Sequence, residues 1–280
     1  MLNILIHHTC YSHHQTKSKS YDLIINPQIM FMFQINTFTF LFLLLLSSTK
    51  VHSSLSSSEL AESLHIFIRK GDFKAFIKIV ESNQVDDSQI DEIVNHVDNN
   101  GRTPLHHVAR WASLEMFTGE RASMATKLIQ AGAKLDVVDN SGKTPLHLSA
   151  ANGYLEGSGL SITSQLLEAG CNKNIQDDQG YTPLIHAVSK GFKHIAALLI
   201  ESGANIHLLE NENQYDAFMI ASRKGHLKIV STLLDHHDNI DVMRTCNQGN
   251  TAIDLAEFAG HVEVANLIRK YGGIEMPKEL

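Results

Sequence analysis

The 280-residue chain is well supplied with side chains that could hold a metal or move a proton: 17 histidines, 30 aspartates and glutamates, and three cysteines. Their spacing argues against most of that chemistry. His7, His8, His13 and His14 form a tract that can be read as a metal binder or as an accident of composition; the absence of any periodicity around it favours the second. His106 and His147 each close a Thr-Pro-Leu-His tetrapeptide and could serve as ligands or bases. Asp98, Asp139, Asp177 and Asp178 recur just before a glycine. Such acids can be read as calcium ligands, but aspartate before a turn is expected from turn chemistry alone. Cys10, Cys171 and Cys246 fit neither a zinc ribbon nor a CxxC redox pair. There is no nucleophile elbow, phosphate loop, HExxH or paired-carboxylate motif. No catalytic residue, cofactor or metal is expected, and the chain reads as a non-enzyme.

Composition narrows the class. The chain is 43% hydrophobic and 19% charged with only 5 prolines, a globular balance. Three of the 23 basic side chains and one of the 30 acidic ones lie in residues 1–53. Residues 54–280 therefore carry 20 and 29, a net of −9. A nucleic-acid binder shows a basic face, so no nucleic-acid partner is expected.

The elements that would position these residues repeat along the chain. GRTPLHHVA begins at Gly101, GKTPLHLSA at Gly142, GYTPLIHAV at Gly180, a degenerate QYDAFMIAS at Gln214, and GNTAIDLAE at Gly249, at spacings of 41, 38, 34 and 35. The long spacings are accounted for by inserts of 8 and 5 residues near MFTGERAS and GSGLS, at the junction of two helices. Each threonine is placed to cap a helix that opens on proline. An apolar stripe follows, then a glycine, then a second helix with apolar residues at helical spacing, such as Ile195, Leu198 and Leu199. In the fourth unit Asp216 replaces the capping threonine. In the fifth, Ala252 and Asp254 replace the proline and histidine.

A TPLH tetrapeptide, a small-residue helix, a glycine, an LL-rich helix and a Gly-Ala turn together strongly resemble the ankyrin-repeat family. The resemblance covers about 98–273 in five units. It implies an all-α solenoid of stacked helix-turn-helix units with hairpin-like connecting loops. It also implies that His106 and His147 are structural, bonding between neighbouring loops, and that the chain binds another protein through its loops and first helices. Residues 54–97 read as a degenerate capping repeat and connector, with two amphipathic helices flanking Gly71 and a plain connection over 84–93. Residues 274–280 form a tail. Since solenoid units touch only their neighbours, Cys171 and Cys246 are too far apart to bridge, and two free thiols are expected.

The N-terminal 53 residues read as a leader. The apolar run 38–46, followed by SSTKVHSSLSSS, has the shape of a signal peptide with a cut after Ser53. The start is then Met30 or Met32, and residues 1–29 are upstream sequence. This predicts a secretory route. The alternatives are a membrane-anchored adaptor held by residues 29–46, or a cytoplasmic protein whose leader does not function. The final Lys-Glu-Leu only faintly resembles a retention signal.

In the ankyrin family, partner contacts come from the residue after the loop glycine and the outward positions of the first helix. Here those are Arg102, His107, Arg110 and Trp111; Lys143 and Leu148; Tyr181 and Lys190; and Tyr215, Arg223 and Lys224. Arginine, tyrosine and tryptophan are enriched at binding hot spots. On an acidic body, these positions predict a partner with an acidic surface, bound by a monomer. Trp111 reads equally well as packing beneath the first insert.

Overall fold

The computed structural model describes residues 56–70, 72–80, 87–110, 118–153, 158–236 and 240–272. The leader, the histidine tract, Cys10, Gly71, Trp111 and the C-terminal tail lie outside the described residues.

The described residues are helical, with one isolated antiparallel bridge between Thr245 and Thr251. Three helices come first: α1 (Ser57–Lys70), α2 (Phe73–Val80) and α3 (Asp87–Asn95). Five helix pairs follow: α4 (Pro104–Arg110) with α5 (Thr118–Gln130), α6 (Pro145–Asn152) with α7 (Ser158–Glu168), α8 (Pro183–Lys190) with α9 (Lys193–Glu201), α10 (Ala217–Arg223) with α11 (Leu227–His236), and α12 (Ala252–Phe258) with α13 (Val262–Gly272). The first helices α4, α6, α8, α10 and α12 pack side by side in sequence. The second helices α5, α7, α9, α11 and α13 do the same in another layer. Helix α1 continues the first layer and α2 the second.

Helices of seven or eight residues are unstable alone, so their ends must be held. The Thr144 hydroxyl accepts the His147 N–H, while the Thr144 N–H donates to His147 Nδ1 at 3.1 Å. This is a capping box with histidine in the place usually taken by glutamate. Thr103 and His106 repeat it. In the fifth unit Asp254 takes the histidine's part, receiving the Thr251 N–H at 2.8 Å. Thr182 and Asp216 each accept an N–H three residues on, at 3.1 and 2.8 Å. The second helices close on left-handed glycines: after Gly132, Gly170 and Gly203, the N–H of the next residue returns to the carbonyls of Leu128, Leu166 and Leu199.

Between the layers lie Leu105, Leu146 and Leu184 from the first helices and Leu128, Leu166, Leu199 and Leu233 from the second, all buried. Each buried leucine contributes roughly 1.5–3 kcal/mol. At the N-terminal end, Leu64, Ile68, Phe76 and Ile93 extend this core.

Two features differ from the sequence reading. The stretch read as a plain connection over 84–93 overlaps α3, which packs on α1 and α4. With Ile93 and Val94 its fully buried apolar residues, it offers too short a stripe for periodicity to reveal. The inserts are also not confined to the helix junctions, since α5 and α7 begin within them and run to 13 and 11 residues against 9 for α9.

The connecting loops are paired to one another. The backbone N–H of Asn140 donates to Asn100 O (2.9 Å), Asp178 to Ser141 O (3.2 Å), Asn211 to Gln179 O (3.0 Å) and Asn247 to Asn213 O (3.3 Å). Close approach along this seam requires Gly142, at φ +75°, because a Cβ there would fall 2.8 Å from Asp178 N. Gly170 shares the left-handed backbone, at φ +85°, but faces open space. Gly170→Ala should therefore cost about 1–2 kcal/mol for the backbone alone. Gly142→Ala should cost at least roughly 1 kcal/mol more, because it also displaces the neighbouring loop. Urea unfolding of the two variants measures the difference; equal losses would mean that the seam adds no stability.

Candidate protein-binding surface

Four of the connecting loops are each built on one carboxylate, and in the fifth Cys246 stands at that position. Asp98 Oδ1 accepts the N–H groups of Asn100 and Arg102 at 2.8 and 3.0 Å. Asp139 Oδ1 accepts those of Ser141 and Lys143 at 2.9 and 3.1 Å, and Asp177 Oδ1 those of Gln179 and Tyr181 at 3.0 and 2.9 Å. In the fourth unit Glu210 takes over, receiving the N–H groups of Glu212, Asn213 and Tyr215. Asp98, Asp139 and Asp177 are thus turn formers whose Oδ1 is filled by backbone donors. Burial alone would raise the carboxyls of Asp98 and Asp139. The donated hydrogen bonds outweigh it and hold both at about 2.

The second oxygen of each aspartate selects a side chain. Asp98 Oδ2 accepts from His107 Nε2 at 2.9 Å, and Asp177 Oδ2 from His186 Nε2 at 2.8 Å. Asp139 has Leu148 where those units have histidine, and its Oδ2 instead takes Arg102 of the preceding unit at 3.0 Å. Asp177 also draws Lys143 from the preceding unit, at 3.8 Å.

The residues expected to face a partner consequently divide. Arg102 and Lys143 are ion-paired to the next loop. His107, Leu148 and Tyr215 are buried, at 3, 6 and 5% exposure, and their expected outward position is corrected. The cause differs in each case: His107 is turned in by Asp98, Leu148 fills the space a histidine takes in the units on either side, and Tyr215 lies beneath Arg223, whose guanidinium carbon stands 5.5 Å from the ring centre. Tyr181 is half-buried, edge-on to His186 at 5.2 Å. Arg110, Lys190, Arg223 and Lys224 are exposed. Trp111 lies outside the described residues.

His106 and His147 bridge the units. Because the Thr144 N–H donates to Nδ1, the ring proton sits on Nε2, which donates to the Tyr181 carbonyl at 3.0 Å. His106 bonds Lys143 O at 3.0 Å in the same way. Both histidines are structural links between loops, as the resemblance implied. Burial holds them neutral and lowers each to about 4. Sequence reasoning missed His186, although it lies nine residues after Asp177 as His107 lies after Asp98. Cys171 and Cys246 are buried free thiols, and burial pushes Cys171 up to about 11.

The family model for ankyrin repeats (3 copies) matches residues 117–209 and 205–278. The chain belongs to the ankyrin-repeat family. A 64-residue stretch is 34% identical to the ankyrin-repeat protein inversin of Danio rerio, covering 23% of this chain and 6% of that protein. The chain thus matches only a small part of its relative's length. Ankyrin repeats are typically non-enzymatic scaffolds that bind other proteins, and the stacked all-α architecture is that of an ankyrin solenoid.

The bridging histidines make this ankyrin stack sensitive to acid. The folded pKa of His147 lies below its unfolded value of about 6.5, so its contribution is complete above that value and is lost as pH falls toward 4. His147→Gln keeps a capping acceptor but no longer titrates. Between pH 7 and pH 5 the unfolding free energy of the wild type should fall by about 1–2 kcal/mol more than that of His147→Gln. Urea titrations at the two pH values test this; parallel losses would remove His147 from the acid response.

Proposed function

We propose that the chain is a non-enzymatic scaffold that binds an acidic surface of another protein, as a monomer, through cations at one end of its first helices. The observation that carries this reading is positional. Arg110 stands seven residues after its helix cap Thr103, Lys190 eight after Thr182, and Arg223 and Lys224 seven and eight after Asp216. These helices pack side by side, so the exposed cations fall at equivalent ends of α4, α8 and α10. On a body of net charge −9 such a row is a local reversal of sign, suited to steering and orienting an acidic partner. The loop cations Arg102 and Lys143 are engaged within the stack and have the lesser share.

The test is Lys190→Glu combined with Arg223→Glu and Lys224→Glu. Proteins captured by the wild type are purified and titrated against both chains. The variant should bind about tenfold more weakly or worse, with unchanged helical content, and wild-type binding should weaken with added salt. Equal affinity at equal helicity would refute the surface.

The route to the partner rests on residues 30–53, whose apolar run and following small residues support a secretory leader. Among the described residues no helix is long and apolar enough to cross a membrane. N-terminal sequencing of the mature protein together with its cell fraction decides the matter. A start near Ser54 in a secreted fraction is expected, whereas an intact apolar segment in a membrane pellet would make the protein a tethered adaptor.

A further inference from the structure

The described residues include a second bridging histidine arrangement, at the junction of the N-terminal cap and the first full unit. In the third unit, the His186–Asp177 pair is met edge-on by His147 of the preceding unit, ring centres 5.8 Å apart. In the first unit, the His107–Asp98 pair is met in the same way by His65 of α1, at 5.1 Å. His65 thus occupies the place that the TPLH histidine holds elsewhere, but no threonine box surrounds it: Glu62 stands three residues before it, where Thr144 precedes His147.

The consequence is a change in what the rings offer. His147 has Nδ1 filled by Thr144 and Nε2 by Tyr181 O. His65 Nε2 donates to His96 O at 3.2 Å, a carbonyl that can only accept, so Nδ1 keeps its lone pair. That Nδ1 is buried and has no partner. His107 Nε2 donates to Asp98, and its Nδ1 is likewise buried and unpartnered. Both residues are more than nine-tenths buried, at 4 and 3% exposure. One ligand atom from each of His65, Asp98 and His107 lies within 4.8 Å of the other two.

A stranded His65 lone pair beside an ionised carboxylate is a poor way to fill a core. His107 Nε2 and Asp98 Oδ2 are 2.9 Å apart, a spacing at which a borderline divalent cation replaces the proton between them and takes a His65 nitrogen as its third ligand. The His107 ring proton then moves to Nδ1, while His65 keeps its other N–H on a carbonyl, as metal-site histidines do. The Asp98 side chain is 21% exposed and provides a path from solvent.

We propose that His65, Asp98 and His107 form a binding site for a divalent transition metal of the zinc class. The ion joins α1 of the cap to the loop and first helix of the first full repeat. It exchanges with the medium, so the cap is tightened only when metal is supplied.

The test is a titration of the full chain, stripped with chelator, with Zn²⁺ while melting temperature and stoichiometry are followed; Co²⁺ absorption reports the ligand field. The decisive variant is His107→Leu, because Leu148 already occupies the equivalent position in the second repeat. The wild type should melt higher with Zn²⁺ and bind one more ion per chain than His107→Leu, in which affinity at this site should drop roughly 100-fold or more. The histidines of residues 7–14 are common to both chains and cancel. If His107→Leu does not fold, His65→Gln serves in the same titration. Equal stoichiometry and equal thermal shift in wild type and folded variant, or no thermal shift in the wild type, would overturn the site.

Discussion

A turn that reverses direction in a few residues leaves backbone N–H groups with no carbonyl to meet, and where the turn is covered by its neighbour those groups cannot be left to water. In this protein a single carboxylate oxygen from Asp98, Asp139 or Asp177, or both oxygens of Glu210, absorb them. Much else follows from that requirement. The loop is fixed, so its edge can pair with the next one. The residue that caps the following helix is placed five positions on in the aspartate units and six positions on in the fourth. In the aspartate units a second oxygen remains for a cation or imidazole, and this choice differs from unit to unit: histidine in the first and third, an arginine from the preceding unit in the second. The charges that appear along the loop edge are therefore largely consumed in holding it.

The bridging histidines depend on the same geometry. Their rings work only when neutral, because Nδ1 must accept the cap N–H while Nε2 donates to the next loop. Burial enforces that state and fixes the tautomer. Where the threonine is missing, as at His65, the same ring is left with an unfilled nitrogen. The cap is thus a worn copy of the repeat in which the position survives and the bonding does not.

Most of the fold could be read from TPLH spacing, because that tetrapeptide specifies a cap, a first helical residue and an inter-loop bond together. The fourth unit shows how far this reaches. Gln214 adopts a left-handed φ of 59°, standing where the other units have glycine, and its side chain bonds Glu210 O. Alignment placed it correctly although the residue type gave no hint of that backbone. Helix α3 was illegible because so little of it is buried. The binding surface was read less well than the fold. A residue at an outward register can still be turned inward by the loop beside it, by a space it must fill or by a side chain laid over it, as His107, Leu148 and Tyr215 are. Arg110, Lys190, Arg223 and Lys224 lie at helix ends and are exposed.

The seam of backbone hydrogen bonds between loops has a direction: at all four junctions the later loop donates and the earlier one accepts. Among the described residues it has no long-range member, since each of these bonds joins adjacent units. Under tension applied to the two ends of the chain, such a ladder is loaded one rung at a time. Neighbours lend each other stability, but no distant contact shares the load. The stack should therefore give way in a succession of small, similar steps, each releasing one unit's length, and re-form by adding units back onto whatever remains folded. Mechanically it is a spring with graded extension rather than a clasp that holds and then fails.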